Sequence, residues 1–136
     1  MGRWLFALLV ASLFACGPAS AQPFPNKPIR LIIGFAPGGP ADVMARLVAQ
    51  KIPQILGQPF IIENRPGAGG SIAAKFVAES DPDGYTLLLG NTSNQVISPA
   101  LYSNVGYDPA KEFAPVGMLG STSNLLVVNP RFAVRS

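Results

Sequence analysis

Glycines and small polar residues gather at three places in this 136-residue chain. They are Ala36-Pro37-Gly38-Gly39, the run NRPGAGG from Asn64 to Gly70, and GNTSNQ from Gly90 to Gln95. Glycine lets a ligand come close to backbone N–H groups, and N–H groups at a helix start suit an anion. The third cluster adds the hydroxyls of Thr92 and Ser93 and the amides of Asn91 and Asn94. Together these groups fit a small, oxygen-rich anion. Each glycine also has a plainer reading as turn chemistry. Phosphate signatures fail: in PGAGGSIAAK the lysine, Lys75, is not next to the last glycine, as a P-loop requires. Gly67 and Gly69 fill the first two places of a dinucleotide fingerprint, but Ile72 holds the third.

Catalytic and metal chemistry find little to work with. The chain has no histidine, and its one cysteine is Cys16. Ser/His and Cys/His pairs and the usual zinc sites are therefore excluded, and neither a catalytic residue, a metal nor a cofactor is expected. Asp81 and Asp83 flank Pro82 and read as turn residues rather than an acid/base pair. Glu63 ends a strand and could reach a cleft, with Arg65 as a structural partner. Arg65 is also the one cation placed to meet an anionic ligand, although an ion-pair role suits it as well.

The elements that would position these clusters follow from the apolar pattern. Residues 29–35 (IRLIIGF) form a nearly continuous apolar run, as in a strand buried on both faces of a parallel sheet. Pro40 suits the first position of a helix over 40–52, and Asp42 and Arg46 have the favourable i,i+4 order. Met44, Leu47, Val48 and Lys51, with Ile52 and Ile55, make its inward stripe. Pro53 should break or kink this helix, and Gly57 should close it. The unit repeats: a strand over 59–63, the loop 64–70, and a helix over 71–79. In that helix Ile72, Ala73, Phe76 and Val77 face inward, and Lys75 pairs with Glu79 outside. A turn at 81–84, a strand over 85–89 and the polar loop 90–95 come next. A short helix over 96–102 broken by Pro99, a loop over 107–113 and strands over 115–119 and 125–129 complete the reading. The order predicts an α/β fold with an open, mainly parallel sheet and right-handed crossovers. In such a sheet ligands bind beyond the carboxyl ends of the strands, where all three clusters fall.

Composition sets the setting. Half the residues are hydrophobic (49%), 12% are charged and the net charge is +3, with no basic run, so a nucleic-acid surface is not expected. Arg3, the short apolar stretch from Trp4 to Ala15 and Ala19-Ser20-Ala21 make residues 1–21 a signal peptide cleaved before Gln22. Lipidation at Cys16, after Leu13-Phe14-Ala15, is the competing reading.

Three phrases, IRLIIGFAPGGPADVMARL, IIENRPGAGGSIAA and DPDGYTLLLGNTSNQVISPALY followed by VGYDPAKEFAPVGML, resemble the Bug-type extracytoplasmic solute-binding receptors of tripartite tricarboxylate transporters. The resemblance runs from about Pro25 to the C-terminus. It implies a periplasmic binding protein-like (Venus flytrap) fold with two α/β lobes closing on a small carboxylate. The carboxylate would be held by backbone N–H groups and ordered water from Phe35-Ala36-Pro37-Gly38-Gly39, Gly67-Ala68-Gly69 and Asn91-Thr92-Ser93-Asn94. It further implies a periplasmic protein, monomeric at full length, that hands its ligand to the permease subunits of a membrane transporter. Residues 22–122 would belong to the first lobe and 123–136 to the crossover, with the second lobe largely missing. A half-cleft should bind carboxylates weakly and leave apolar edges exposed. The alternative is an exported α/β enzyme domain that takes an anionic substrate on its glycine-rich loops; a non-functional remnant is a third reading.

Overall fold

A computed structural model describes residues 23–121, 127 and 129. The proposed signal segment and most of the strand expected over 125–129 lie outside the described residues. Three parallel strands form the sheet: β1 (Ile29–Ile33), β2 (Phe60–Asn64) and β3 (Thr86–Leu89), in the order β2-β1-β3. The register sets Ile29 beside Phe60 and Ile33 beside both Asn64 and Leu89. The central position of β1 explains its apolar run: Leu31, Ile32 and Ile33 are buried.

The first crossover carries α1 (Pro40–Ala49) and the short α2 (Ile52–Leu56). The second carries a 3₁₀ turn (Ala68–Gly70) and α3 (Ser71–Ala78). Alternate β1 residues face opposite ways. Leu31 and Ile33 meet Ala45 of α1, with Ala41, Phe60, Ile62, Leu87 and Leu89 packed around them. Arg30 faces the other side, where the Phe76 ring of α3 lies 5.2 Å from its guanidinium carbon. From β1 the chain thus goes first to one neighbour and then back past it to the other. That reversal makes the carboxyl end of β1 a topological switch point.

Several expected elements change at this level. The helix expected over 40–52 stops at Ala49, and Pro53 falls in the first turn of a separate helix, where its missing N–H costs nothing. Gly57 closes α2 in the left-handed conformation, φ 70°. The inward stripe of α1 is not the one expected, because Leu47 is exposed while Ala45 and Asp42 are buried, and Ile55, expected to extend the stripe, is exposed on α2. Small residues let the helix sit close on the sheet, which turns the larger ones outward. The same holds in α3: Ile72 is exposed, and Ala73 and Ala74 are fully buried. Lys75 and Glu79 do pair outside, at 3.7 Å.

The polar loop expected over 90–95 is largely helical. A π-helical turn (Ser93–Ile97) runs directly into α4 (Ser98–Leu101). Pro99 does not break this helix. It sits at the start of α4, and the wider π turn before it spares the clash that proline makes with a preceding α-helical carbonyl. The segment 107–113 is a loop as expected, whereas 115–119 forms no strand.

Candidate functional site

All three loops leave the carboxyl ends of the strands, and backbone contact joins them. A side chain on Gly34 would put its Cβ 2.6 Å from the Cα of Gly70, so the start of loop 1 and the end of loop 2 meet backbone to backbone at these two glycines. A Cβ on Gly69 would come within 3.0 Å of the hydroxyls of Ser93 and Ser98, so loop 2 also meets loop 3. Loop 2 therefore crosses the end of β1 and bridges its two neighbours.

Loop 1 is tied down by one carboxylate. Asp42, in the first turn of α1, is only 3% exposed. Its Oδ2 accepts the Gly38 N–H at 3.0 Å and Arg46 Nε at 2.8 Å. Its Oδ1 accepts Arg46 Nη2 and Asn64 Nδ2, both at 3.0 Å. Asn64 Nδ2 also reaches the carbonyl of Phe35 at 3.0 Å. The Arg46 guanidinium, followed by the Gly38 N–H, holds the Asp42 carboxyl far below the usual carboxylate range. The Gly38 N–H is thus already used, and Pro37 has none to offer.

Loop 2 is shaped by backbone conformation instead. Gly67, Ala68, Gly69 and Gly70 all have positive φ, at 133°, 46°, 64° and 91°. The Gly70 N–H closes on the Gly67 carbonyl, and the Ser71 N–H on that of Ala68. α3 begins here with no acidic residue in its first turn. The Gly39 N–H turns back on the Ala36 carbonyl in the turn Ala36-Pro37-Gly38-Gly39, whereas the N–H groups of Ala36, Ala68 and Gly69 stand outside the hydrogen bonds that hold these loops.

In loop 3 the two asparagines serve each other. The Asn91 N–H donates to Asn94 Oδ1 at 3.0 Å, and the Asn94 N–H donates to Asn91 Oδ1 at 3.1 Å. Asn94 is fully buried, and its Nδ2 has no partner. Tyr107 Oη donates to the Asn94 carbonyl and lies 3.4 Å from Ser71 Oγ at the start of α3. Thr92 and Ser93 keep their hydroxyls nearer the surface.

The structure thus brings together the three expected loops but divides their roles. Asn91, Asn94 and Gly38 hold the loops in shape, while Ala36, Ala68 and Gly69 keep their N–H groups outside these bonds. Arg65 takes the ion-pair role: its guanidinium stacks 3.6 Å from the Phe76 ring centre and lies 3.4 Å from Glu63. Glu63 is itself gripped by Arg30 at 2.6 and 2.8 Å, which lowers its pKa. Asp83 caps the turn before β3 by accepting the Tyr85 N–H, and it pairs with Lys27. Sequence reasoning missed the loop-holding roles of Asp42, Asn64 and Tyr107. The only local signal for any of them was the Asp42/Arg46 spacing.

Among the described residues no group of three or more acidic, histidine or cysteine side chains could hold a metal. No described helix is long and apolar enough to cross a membrane. Two surface grooves lie away from the loops. One is lined by Arg46, Ala49, Gln50, Phe60 and Ile62; the other lies beside Lys27, Arg30, Phe76 and Tyr85. The charges of Arg46, Lys27 and Arg30 are already paired within the chain, so neither groove offers a free charge from these residues.

A parallel α/β sheet with anion-ready loops at its switch point is the architecture of one part of a periplasmic binding protein. Comparison with known proteins makes this specific. Residues 44–136 match the family model described as the tripartite tricarboxylate transporter family receptor, and the chain belongs to that family. It is 38% identical over 133 residues to protein BugT of Bordetella pertussis, covering 97% of this chain and 41% of BugT. Among solved structures, MatC from Rhodopseudomonas palustris with bound malate superposes with a TM-score of 0.67 at 43% identity, over 71% of this chain and 33% of MatC. A second R. palustris protein, with adipate, gives a TM-score of 0.62 at 39% identity, over 65% and 29%. The chain thus spans well under half the length of these relatives.

Proposed function

We propose that this chain supplies one wall of a carboxylate-binding cleft in a periplasmic receptor, which passes its ligand to the permease subunits of a tripartite transporter. The observation that carries this reading is the group of N–H donors on Ala36, Ala68 and Gly69, which the loop-holding bonds leave unused at the carboxyl ends of parallel strands. Two relatives of the same fold hold dicarboxylates, malate and adipate. The wall recognises a carboxylate by dipoles rather than by a cationic clamp, because Arg46 and Arg65 are already paired. The protein acts as a receptor and not as an enzyme, since no histidine or cysteine stands ready to activate a nucleophile near the loops.

A thermal-shift panel tests this. Malate, adipate and citrate should raise the melting temperature, and nucleotides should not. A rise with nucleotides alone would favour an enzyme domain acting on phosphorylated substrates.

A further inference from the structure

We infer that Asp42 is a positioning residue for the ligand wall: an internal carboxylate that fixes loop 1 and the end of β2 in one geometry. The inference rests on the carboxylate reading above for its functional meaning, but its structural content stands on observed contacts.

An aspartate in the first turn of a helix ordinarily faces water and interacts weakly with the helix dipole. Asp42 is buried instead, and both of its oxygens are fully engaged. Its four bonds go to three different parts of the chain. Arg46 belongs to α1, Gly38 to the middle of loop 1, and Asn64 to the last position of β2. Asn64 extends the network by holding the Phe35 carbonyl. Loop 1 is therefore gripped at its start through Phe35 and at its middle through Gly38. The same network fixes the residue from which loop 2 departs, and Arg65 beside it is anchored by its N–H to the Ile33 carbonyl at 2.8 Å. Asp42 and Asn64 together join loop 1 to the end of β2.

The network also decides which donors a ligand can use. Asp42 occupies the Gly38 N–H, the place in loop 1 that an incoming carboxylate would otherwise contest. A ligand is left with Ala36 on this side and Ala68 and Gly69 on the other. Asp42 never touches the ligand in this scheme. It acts by holding the flanking N–H groups in place and by refusing one of them.

The test uses the full chain, with three variants and two readouts. Asp42→Ala removes the anchor. Asn64→Ala cuts only the tie to Phe35 and β2 and leaves the Asp42–Arg46 pair to hold the helix. Ala45→Gly is a stability control, because it loosens α1 at a buried site away from the network. The readouts are amide hydrogen exchange by NMR and the malate dissociation constant from chemical shifts. Asp42→Ala should speed exchange at Gly38 and weaken malate binding by about tenfold, because the flanking N–H groups must then be ordered at the expense of binding. Asn64→Ala should weaken malate binding by a smaller factor, and Ala45→Gly should change neither readout. Equal effects of Asp42→Ala and Ala45→Gly would overturn the proposal, as would unchanged exchange at Gly38. If Asp42→Ala does not fold, Asn64→Ala carries the test, and unaltered malate binding in that variant would overturn the proposal. If the unaltered chain shows no malate shifts, the carboxylate reading fails, while Gly38 exchange still decides whether Asp42 positions the loop.

Discussion

Loop 1 and loop 2 do the same job by different means. Loop 1 is fixed by a side chain: the Asp42 carboxylate, backed by Arg46 and Asn64, grips its backbone. Loop 2 is fixed mainly by backbone conformation, with four successive residues at positive φ, Gly70 packed against Gly34 and Gly69 against Ser93 and Ser98. The first device is electrostatic and responds to pH. The second is steric and responds to a single added methyl group. The difference shows that two neighbouring glycine-rich loops can be held in shape by unlike devices, a buried carboxylate in one and backbone conformation in the other.

The largest effect should come from the steric device. Gly34→Ala places a Cβ against the Gly70 backbone, which cannot step aside as a flexible side chain would. A destabilisation of about 3 kcal/mol is expected by urea unfolding. A loss within error would mean that loops 1 and 2 are not packed as described.

The electrostatic device should show its hand through pH. The folded Asp42 carboxyl lies below its unfolded value, so its stabilising contribution is complete at neutral pH and fades as pH falls below the ordinary aspartate value of 3.8. Asp42→Asn should therefore cost most at neutral pH, and the gap to the unaltered chain should narrow in acid. Glu63, Asp83 and Asp108 are shifted in the same direction, but they are common to both proteins and cancel in the difference. A gap that stays constant with pH would assign the effect to packing instead.

Two smaller effects complete the series. Tyr107→Phe removes the hydroxyl that joins loop 3 to the start of α3, and about 1.5 kcal/mol should be lost in urea unfolding. Arg65→Ala should cost less than about 1 kcal/mol, since its stacking and ion pair are both half-exposed, and it should leave malate binding unchanged. A marked loss of malate affinity in Arg65→Ala would restore the arginine to the site.

Much of the frame was legible in the sequence because it rests on local rules. The apolar run of β1, Pro40 at the start of α1, the left-handed Gly57 and the turn at Asp83-Gly84 each follow from residues within a few positions of one another. The first two loops were also legible, since glycine gathers there, whereas most of the third, expected over 90–95, is helical. What escaped was set by packing. Leu47 and Ile72 carry the right helical spacing to be buried, yet alanines win the inward faces because the helices sit close to the sheet. Asn64 reaches Asp42 across 22 positions, and Tyr107 reaches Ser71 across 36; no periodicity reports such a contact. Asn91 and Asn94 read as ligand groups by type, but their mutual bonds hold the loop.

The most direct test of the account is a malate titration of the ¹⁵N-labelled chain, followed amide by amide. The signals of Ala36, Ala68 and Gly69 should move together on one saturable curve, while Gly38, held by Asp42, moves little. Shifts led by Gly38, or shifts confined to the groove beside Lys27 and Tyr85, would contradict it.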